Sequence, residues 1–242
     1  MNIVISQPMF LPWVGLFEQL RLSDVFVHYD DVQMPGKGNF VNRVQVKTAH
    51  GIKWLTIPVK HVKGTPLKIN EVEIRNDLNW RKEHVTVISA NYANAPHYGI
   101  LDELLGELYR PAFALMGDFC IHCFETVARF FGIHKTFIKS SALQIDGQSS
   151  ERVVAIVKHL QGTNYISGLG ALKYINYDLF EQNGIALRYM DYQKKPYPQL
   201  YGEFTPYVSI IDLIANCGKN GVAYICSNAI YWKEYIERQN PS

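Results

Sequence analysis

The sequence predicts an α/β fold with a mainly parallel, Rossmann-like sheet and a helical insertion. Short apolar runs rich in β-branched and aromatic residues alternate with longer segments of helical periodicity, which is the pattern of strand–helix–strand units. Several of these runs end in small or polar residues, as strands do where they lead into loops. The 242 residues contain no internal repeat, low-complexity segment or clear linker, so we expect residues 1–242 to form a single domain.

The first unit comprises an apolar strand over 2–5, a loop, a helix over 16–22 and a second strand over 25–29. Polar side chains follow both strands. In an open α/β sheet, ligands bind just outside the carboxyl ends of the strands. We therefore expect a ligand site near the polar residues of this stretch, which are Gln7, Asp30, Gln33, Asn42 and Arg43.

A hairpin and a run of helices follow the opening unit. Two β-rich segments over 41–47 and 53–59 flank a turn at Gly51, and residues 68–74 resemble a third strand. Helical periodicity then begins near residue 80 and continues, with breaks, to residue 131. We interpret residues 77–132 as a largely helical insertion.

Strands and helices alternate again after residue 132, which favours parallel strands joined by crossover connections. The predicted strands cover 136–139, 164–167 and 185–192, and the predicted helices cover 149–160, 171–183 and 209–216.

Charge and hydropathy limit the classes of partner. The chain has 24 basic and 22 acidic residues, a balance that argues against nucleic acid or an anionic membrane surface as the partner. No apolar stretch approaches the roughly 18 residues needed to cross a bilayer, so we expect no membrane insertion. The chain begins with a strand and lacks a basic, apolar leader, which predicts a cytoplasmic location.

The cysteines do not form a complete metal motif. Cys120 and Cys123 have C-x-x-C spacing, but they lie in a segment of helical periodicity, where small buried thiols are common. Cys217 and Cys226 are nine residues apart. We expect free thiols and no metal site.

The opening unit supplies the candidate catalytic residues. Asp30 is the preferred general base or positioning charge for an amine, although an Asp at a strand end also caps turns. His28 shares the face of Asp30 because side chains alternate along a strand, and it is the other candidate base or else a core residue.

Other side chains of the same unit are candidates for substrate binding. Arg43 could clamp a phosphate or carboxylate beside Asn42, or form a structural ion pair. Gln7 and Gln33 could bind polar substrate groups or stabilise turns. Trp13 could stack on a base or sugar ring, or belong to the core.

Two later segments add candidates for substrate binding. Ser167, Gly168 and Gly170 follow a predicted strand and open a predicted helix, where backbone N–H groups bind anions such as pyrophosphate. Gln199, Ser209 and Asp212 are candidates for contacts with substrate hydroxyls. Ser209 and Asp212 are three residues apart on one helical face, which equally fits a capped helix with an acidic first turn.

At the level of motifs, the chain resembles the WbqC-like proteins. The resemblance covers nearly the whole chain and depends on Gln7-Pro8, Pro12-Trp13-x-Gly15, Asp24 to Gln33, Asn42-Arg43, Leu55-Thr56-x-Pro58, Trp80, His84, Tyr92, Ala95-Pro96-x-Tyr98, Tyr165-Ile166-Ser167-Gly168, Pro196-Tyr197-Pro198-Gln199, Phe204-x-Pro206, Ser209 to Leu213 and Asn216-x-Gly218. The family pattern has His-Pro-x-Tyr before the Gln. This chain has Lys195 in place of the His, so a role for that His does not carry over.

The resemblance implies a role in bacterial surface-polysaccharide (O-antigen, lipopolysaccharide) biosynthesis. It implies an N-acyltransferase, or an ATP-dependent amide ligase, that joins glycine, a similar amino acid or an acyl group to the amine of a nucleotide-linked amino sugar. The acyl group would be activated by ATP or arrive as a thioester of CoA or a carrier protein. The alternative is a non-catalytic protein of the same pathway that binds a nucleotide sugar or a partner enzyme.

Overall fold

The structure is a computed structural model that describes residues 1–36, 38–60 and 66–239. Short, largely buried apolar runs become strands because their side chains fill both faces of a covered sheet. The strands are β1 (Asn2–Ser6), β2 (Val25–His28), β3 (Arg43–Thr48), β4 (Gly51–Thr56), β5 (Thr136–Lys139), β6 (Asn164–Ser167), β7 (Ala186–Asp191) and β8 (Asn228–Tyr231).

Helices account for most of the remaining regular structure. They are α1 (Val14–Leu22), α2 (Trp80–Tyr92), α3 (Tyr98–Tyr109), α4 (Met116–Phe130), α5 (Ser140–Leu143), α6 (Ser149–His159), α7 (Tyr177–Gln182), α8 (Ile210–Cys217) and α9 (Trp232–Gln239). None of the described helices is long and apolar enough to cross a membrane.

The main sheet has six strands in the order β5-β2-β1-β6-β7-β8. Parallel pairing joins β5, β2, β1, β6 and β7, and β8 runs antiparallel at the edge beside β7. The predicted α/β class with a mainly parallel sheet is confirmed.

Apolar clusters cover both faces of this sheet. Val4 and Phe26 face a cluster that includes α1, α4 and α8, whereas Ile3 and Ile5 face a cluster that includes α6, α7 and α9. Successive side chains of β1 thus enter opposite clusters, as the alternation along a strand requires. The result is a three-layer α/β/α arrangement.

The chain between β2 and β5 contains the two-stranded β3–β4 sheet and the helices α2, α3 and α4. Helices therefore do occupy the predicted insertion at 77–132, while the prediction of a single domain stays a prediction. The predicted strand at 68–74 is wrong. Residues Ile69–Glu71 form a 3₁₀ turn, flanked by isolated bridges at Lys68, Glu73 and Ile74.

The predicted helix over 171–183 is shorter than expected. A 3₁₀ turn at Leu169–Ala171 follows β6, and α7 begins only at Tyr177. The Asn176 side chain accepts a hydrogen bond from Leu179 N at 3.2 Å and so caps α7. The Gly-containing segment after β6 therefore leads into a 3₁₀ turn and not into an α-helix.

Candidate functional site

The sheet changes winding direction between β1 and β6. The chain passes from β1 through α1, on one face, to β2 on one side of β1. It later passes through α6, on the opposite face, into β6 on the other side of β1. Such a topological switch point leaves a crevice at the carboxyl ends of the two strands, and ligands of doubly wound folds bind there. Gln7 follows β1 and Gly168 follows β6, so both predicted residues lie at this crevice.

Gly168 brings the backbone after β6 close to α1. A Cβ atom at this position would lie 2.6 Å from Nε2 of Gln19, a buried residue of α1. Ser167 is also buried, and its hydroxyl donates to Gly168 O at 3.1 Å. No atom lies within 4 Å of a Cβ placed at Gly170. Gly168 and Ser167 therefore line the crevice closely, whereas Gly170 lies in open space.

Trp13 lies at the first turn of α1, which begins at the same edge of the sheet. A Cβ at Gly15 would lie 2.4 Å from the indole Nε1 of Trp13, so the half-buried ring covers the start of the helix. Trp13 also forms a bridge with Ser209, whose hydroxyl donates to Leu11 O at 2.8 Å. Ser209 thus connects the start of α8 to the opening loop.

Asp30 and His28 are both buried and engaged with protein groups. The Asp30 carboxylate accepts hydrogen bonds from Ser140 Oγ at 3.1 Å and from the backbone N and side-chain Oγ of Ser141 at 3.0 and 2.7 Å. His28 Nε2 donates to Glu125 Oε1 at 3.0 Å, and its ring stacks on Phe137. Because both side chains are only 2% exposed, a ligand could reach either only after rearrangement of the residues around it, and the catalytic role of each stays a prediction.

Asp31 and Tyr29 meet Arg152 of α6, a cluster that the sequence reasoning missed. Arg152 Nη2 donates to Asp31 Oδ2, its Nε donates to Ile145 O at 2.9 Å, and its guanidinium lies 5.0 Å from the Tyr29 ring centroid. Burial acts to raise the pKa of Asp31, but hydrogen bonds from Arg152 and Ser140 outweigh burial and lower this pKa. No local signal could reveal the pair, because 121 residues separate its members.

Asn42 and Arg43 line a cavity of about 560 Å³ between the β3–β4 sheet and the chain that follows β2. Asn42 Nδ2 donates to Ile57 O at 3.0 Å. Arg43 Nε donates to Asn39 O at 2.9 Å, and its guanidinium lies 4.1 Å from the Trp54 ring centroid. Gln33 is exposed and forms a bridge with Lys68 beside this cavity. The structure thus groups Asn42 with Arg43, and Gln33 lies next to Met34 of the same wall.

Gln199 and Asp212 belong to a polar network inside the protein. Tyr92 OH donates to Asp212 Oδ2 at 2.9 Å, and Lys47 Nζ donates to Gln199 Oε1 at 3.1 Å and to Glu203 O at 2.5 Å. Asp212 is fully buried, and burial raises its pKa to about 6 despite the hydrogen bonds it accepts. As the structure stands, Asp212 cannot touch a substrate hydroxyl, and its predicted binding role would require rearrangement.

Lys47, from the network just described, also lines a second cavity of about 480 Å³, together with residues on either side of Gly202.

The cysteines are free, and burial raises the pKa of the Cys120 and Cys123 thiols. Within residues 1–36, 38–60 and 66–239, no three His, Cys, Asp or Glu side chains are placed to hold a metal ion together.

Taken together, the fold and the crevice define a doubly wound α/β protein with a ligand edge at the switch point between β1 and β6. Comparison with known families matches residues 7–224 to the WbqC-like protein family, and the chain belongs to that family.

A curated relative from Mycobacterium tuberculosis (strain ATCC 25618 / H37Rv), "Uncharacterized protein Rv1507c", is 30% identical over 230 residues. The alignment covers 93% of this chain and 97% of the relative. No solved structure matches the chain.

Proposed function

We propose that the protein forms an amide between an activated amino acid or acyl group and the amine of a nucleotide-linked amino sugar. The observation that carries the proposal is the crevice between β1 and β6, which offers Gln7 and the close-packed Ser167–Gly168 backbone to a ligand. Ligands of doubly wound folds bind at this position. The resemblance of the motifs supplies the reaction class, since fold alone does not define chemistry.

In the proposed reaction, the sugar amine attacks the carbonyl carbon of the acyl group. The new C–N bond forms as the bond to the leaving group breaks, and the amine loses one proton. The leaving group is a thiolate if the donor is a thioester of CoA or a carrier protein, and AMP if ATP has activated the acyl group. Asp30 or His28 is the proposed proton acceptor, and the main contribution of the protein is to hold the two reactants together.

The setting proposed for this reaction is surface-polysaccharide biosynthesis, including O-antigen and lipopolysaccharide. Nucleotide-linked sugars are cytoplasmic substrates, so the proposal places the protein in the cytoplasm. Gln33, Asn42 and Arg43 would then contact the substrate from the cavity beside β3, and Trp13 would contact it from the start of α1.

The test of this proposal is turnover measured by mass. The protein is incubated with a UDP- or dTDP-linked amino sugar together with glycine and ATP, and in parallel with acyl-CoA without ATP. We expect one acyl or aminoacyl mass added to the sugar in one arm only, which also selects the activation route. If no arm of a broad donor panel adds mass, the proposed activity is wrong.

The substitution Gly168→Ala tests whether the activity depends on the crevice. The backbone accepts alanine, because Gly168 has φ −76°, but the new methyl group would displace the Gln19 side chain. We expect turnover to fall about tenfold, the effect of losing roughly 1.4 kcal/mol of transition-state stabilisation. Gly170→Ala should cost less, since its Cβ meets open space, and Gly106→Ala on the exposed face of α3 is the distant control.

A non-catalytic nucleotide-sugar-binding protein is the second candidate function. The observation that favours it is the burial of both proposed bases, since Asp30 and His28 are each only 2% exposed and hydrogen-bonded to protein groups. Binding of the nucleotide sugar by calorimetry, without turnover by any donor, would select this candidate.

A further inference from the structure

A basic stretch lies within the segment between β2 and the first helix of the insertion, flanked by Asp30 and Asp31 before it and by Glu71 and Glu73 after it. Residues 32–70 contain seven Lys or Arg residues and no Asp or Glu. Because the whole chain has a formal charge of +2, this stretch carries +7 and the remainder carries −5. The near-neutral total therefore hides a local excess of positive charge, and such an excess attracts anions.

Described residues of this basic stretch supply most of the lining of the 560 Å³ cavity described above. Its polar lining consists of Asn39, Asn42, Arg43, Thr56 and Lys60. Among the described residues, none that lines the cavity is acidic. Glu73 forms an exposed ion pair with Lys60 at 2.6 Å. The volume lies within the range of about 300–1,000 Å³ that is usual for small-molecule sites.

Arg43 is held in place before any ligand arrives. Its Nε donates to Asn39 O, and its guanidinium stacks on Trp54. Asn39 is itself fixed, because its Nδ2 donates to Gly36 O at 2.8 Å and its Oδ1 accepts from Val41 N at 2.7 Å. A guanidinium ordered in this way binds phosphate with less loss of side-chain entropy than a mobile one.

The cavity lining is apolar as well as polar. Met34, Val59, Leu67 and Val72 contribute apolar side chains to it. A ligand that suits this mixed lining carries a compact anionic group next to a carbon-rich group. A diphosphate ester has this character, whether its other end is a nucleoside or an isoprenoid chain.

We propose that this cavity binds the diphosphate of the sugar substrate, with Arg43 and Lys60 as the cationic contacts and Asn42 and Thr56 as neutral ones. The proposal rests on the proposed function only for the identity of the substrate. The diphosphate would lie against the β3–β4 sheet, and the sugar amine would extend toward the crevice between β1 and β6.

The test is isothermal titration calorimetry of the full chain with three probes: inorganic pyrophosphate, UDP and farnesyl diphosphate. We expect pyrophosphate to bind with an affinity that weakens as salt concentration rises. Tighter binding of UDP identifies a nucleotide diphosphate as the ligand, whereas tighter binding of farnesyl diphosphate identifies an isoprenoid diphosphate.

Two variants and two matched controls locate the binding. Arg43→Gln should weaken pyrophosphate binding at least tenfold, and Lys60→Met about threefold, with thermal melts to confirm that both variants fold. Arg43→Lys keeps the charge and should recover part of the affinity. Lys233→Met and Arg238→Gln remove exposed, ion-paired cations of α9 and should leave binding unchanged.

Two outcomes overturn the inference: no diphosphate probe binds at millimolar concentration, or folded Arg43→Gln and Lys60→Met proteins bind as the parent does. Failure of the proposed function is a separate result. Diphosphate binding that depends on Arg43, combined with no acyl transfer, keeps the cavity assignment and rejects the reaction. Acyl transfer that neither variant affects supports the reaction and rejects the cavity assignment.

Discussion

Asp212 is a buried acid whose protonation should make stability depend on pH. Burial raises its pKa from 3.8 to about 6, so the folded state holds a proton that the unfolded state releases at lower pH. Its contribution to the free energy of unfolding is therefore fully present below pH 4 and is lost as pH rises through 6. The change is about 3 kcal/mol for a shift of roughly two pKa units.

Asp212→Asn should remove this dependence. The variant is expected to lose stability overall, because the hydrogen bond from Tyr92 weakens, but the difference in unfolding free energy between parent and variant should shrink as pH rises from 4 to 6.5. Urea unfolding at several pH values measures this difference in unfolding free energy. Asp178→Asn, at an exposed position in the first turn of α7, should keep the parent slope. A pH-independent difference for Asp212→Asn would contradict the raised pKa.

His84 should produce a pH dependence of the opposite sign. Burial lowers its pKa from 6.5 to about 4, and the neutral ring accepts from Tyr109 OH at Nδ1 and donates to Thr56 O from Nε2. The stability it contributes is present above pH 6.5 and is lost as pH falls through 4, again about 3 kcal/mol.

His84→Gln tests this contribution, with the same unfolding measurements. We expect the stability advantage of the parent over the variant to grow as pH rises from 4 to 6.5. Because Asp212 and His84 titrate in the same window with opposite signs, their effects largely cancel in the parent protein. Parallel pH curves for the parent and His84→Gln would show that folding does not lower the pKa of His84.

The first turn of α4 packs against the 3₁₀ turn at Ile69–Glu71 through a glycine. A Cβ at Gly117 would lie 3.1 Å from Ile69 O, a backbone atom that cannot easily move. Met116 N also donates to Val72 O at 2.8 Å and fixes the approach. We expect Gly117→Ala to destabilise the protein by roughly 1–3 kcal/mol, the range for overpacked sites, measured as a lower denaturant midpoint.

Gly106→Ala is the matched control for that substitution. Gly106 is exposed inside α3, and the nearest atom to its added Cβ is Arg110 Nη2 at 3.9 Å. Alanine should stabilise this helix by about 0.5–1 kcal/mol, because it loses less backbone entropy than glycine. If Gly117→Ala raises the midpoint, as Gly106→Ala is expected to do, packing at Gly117 does not limit the approach of α4.

The strands of the parallel sheet were the most predictable elements, because each is a short run rich in apolar residues and the central strands are buried on both faces. By contrast, β8 and α9 escaped prediction, since Asn228–Tyr231 is only four residues long and has no alternating pattern. The segment at 68–74 resembled a strand because its spaced Ile and Val residues are buried, but they are buried from a 3₁₀ turn.

The positions of candidate residues that directly follow strands were predictable from the sequence. Their contacts with residues far away in the chain were not. Gln7 and Gly168 could be placed because they follow strands of a doubly wound sheet. The engagement of Asp30 by Ser140, and of Asp212 by Tyr92, depends on tertiary contacts across more than 100 residues, and no local pattern encodes these.

The distribution of thiols gives a prediction for the whole molecule. Cys120, Cys123 and Cys217 are buried, and only Cys226 is partly exposed. In native protein, a thiol reagent such as DTNB should react quickly with at most one cysteine per chain, and with four after denaturation. Cys226→Ser should abolish the fast phase, and more than one fast thiol in the parent would contradict this packing.

The position of β1 in the middle of the sheet has a consequence for synthesis. β1 pairs with β2 across about twenty residues, but its other edge pairs with β6, where Met1 N contacts Thr163 across 162 residues. During synthesis on the ribosome, this edge of β1 cannot pair with β6 until most of the chain has emerged. Until then, its apolar surface is exposed to chaperones and to other nascent chains. Slow, late closure of the central strand should therefore limit how fast the protein folds.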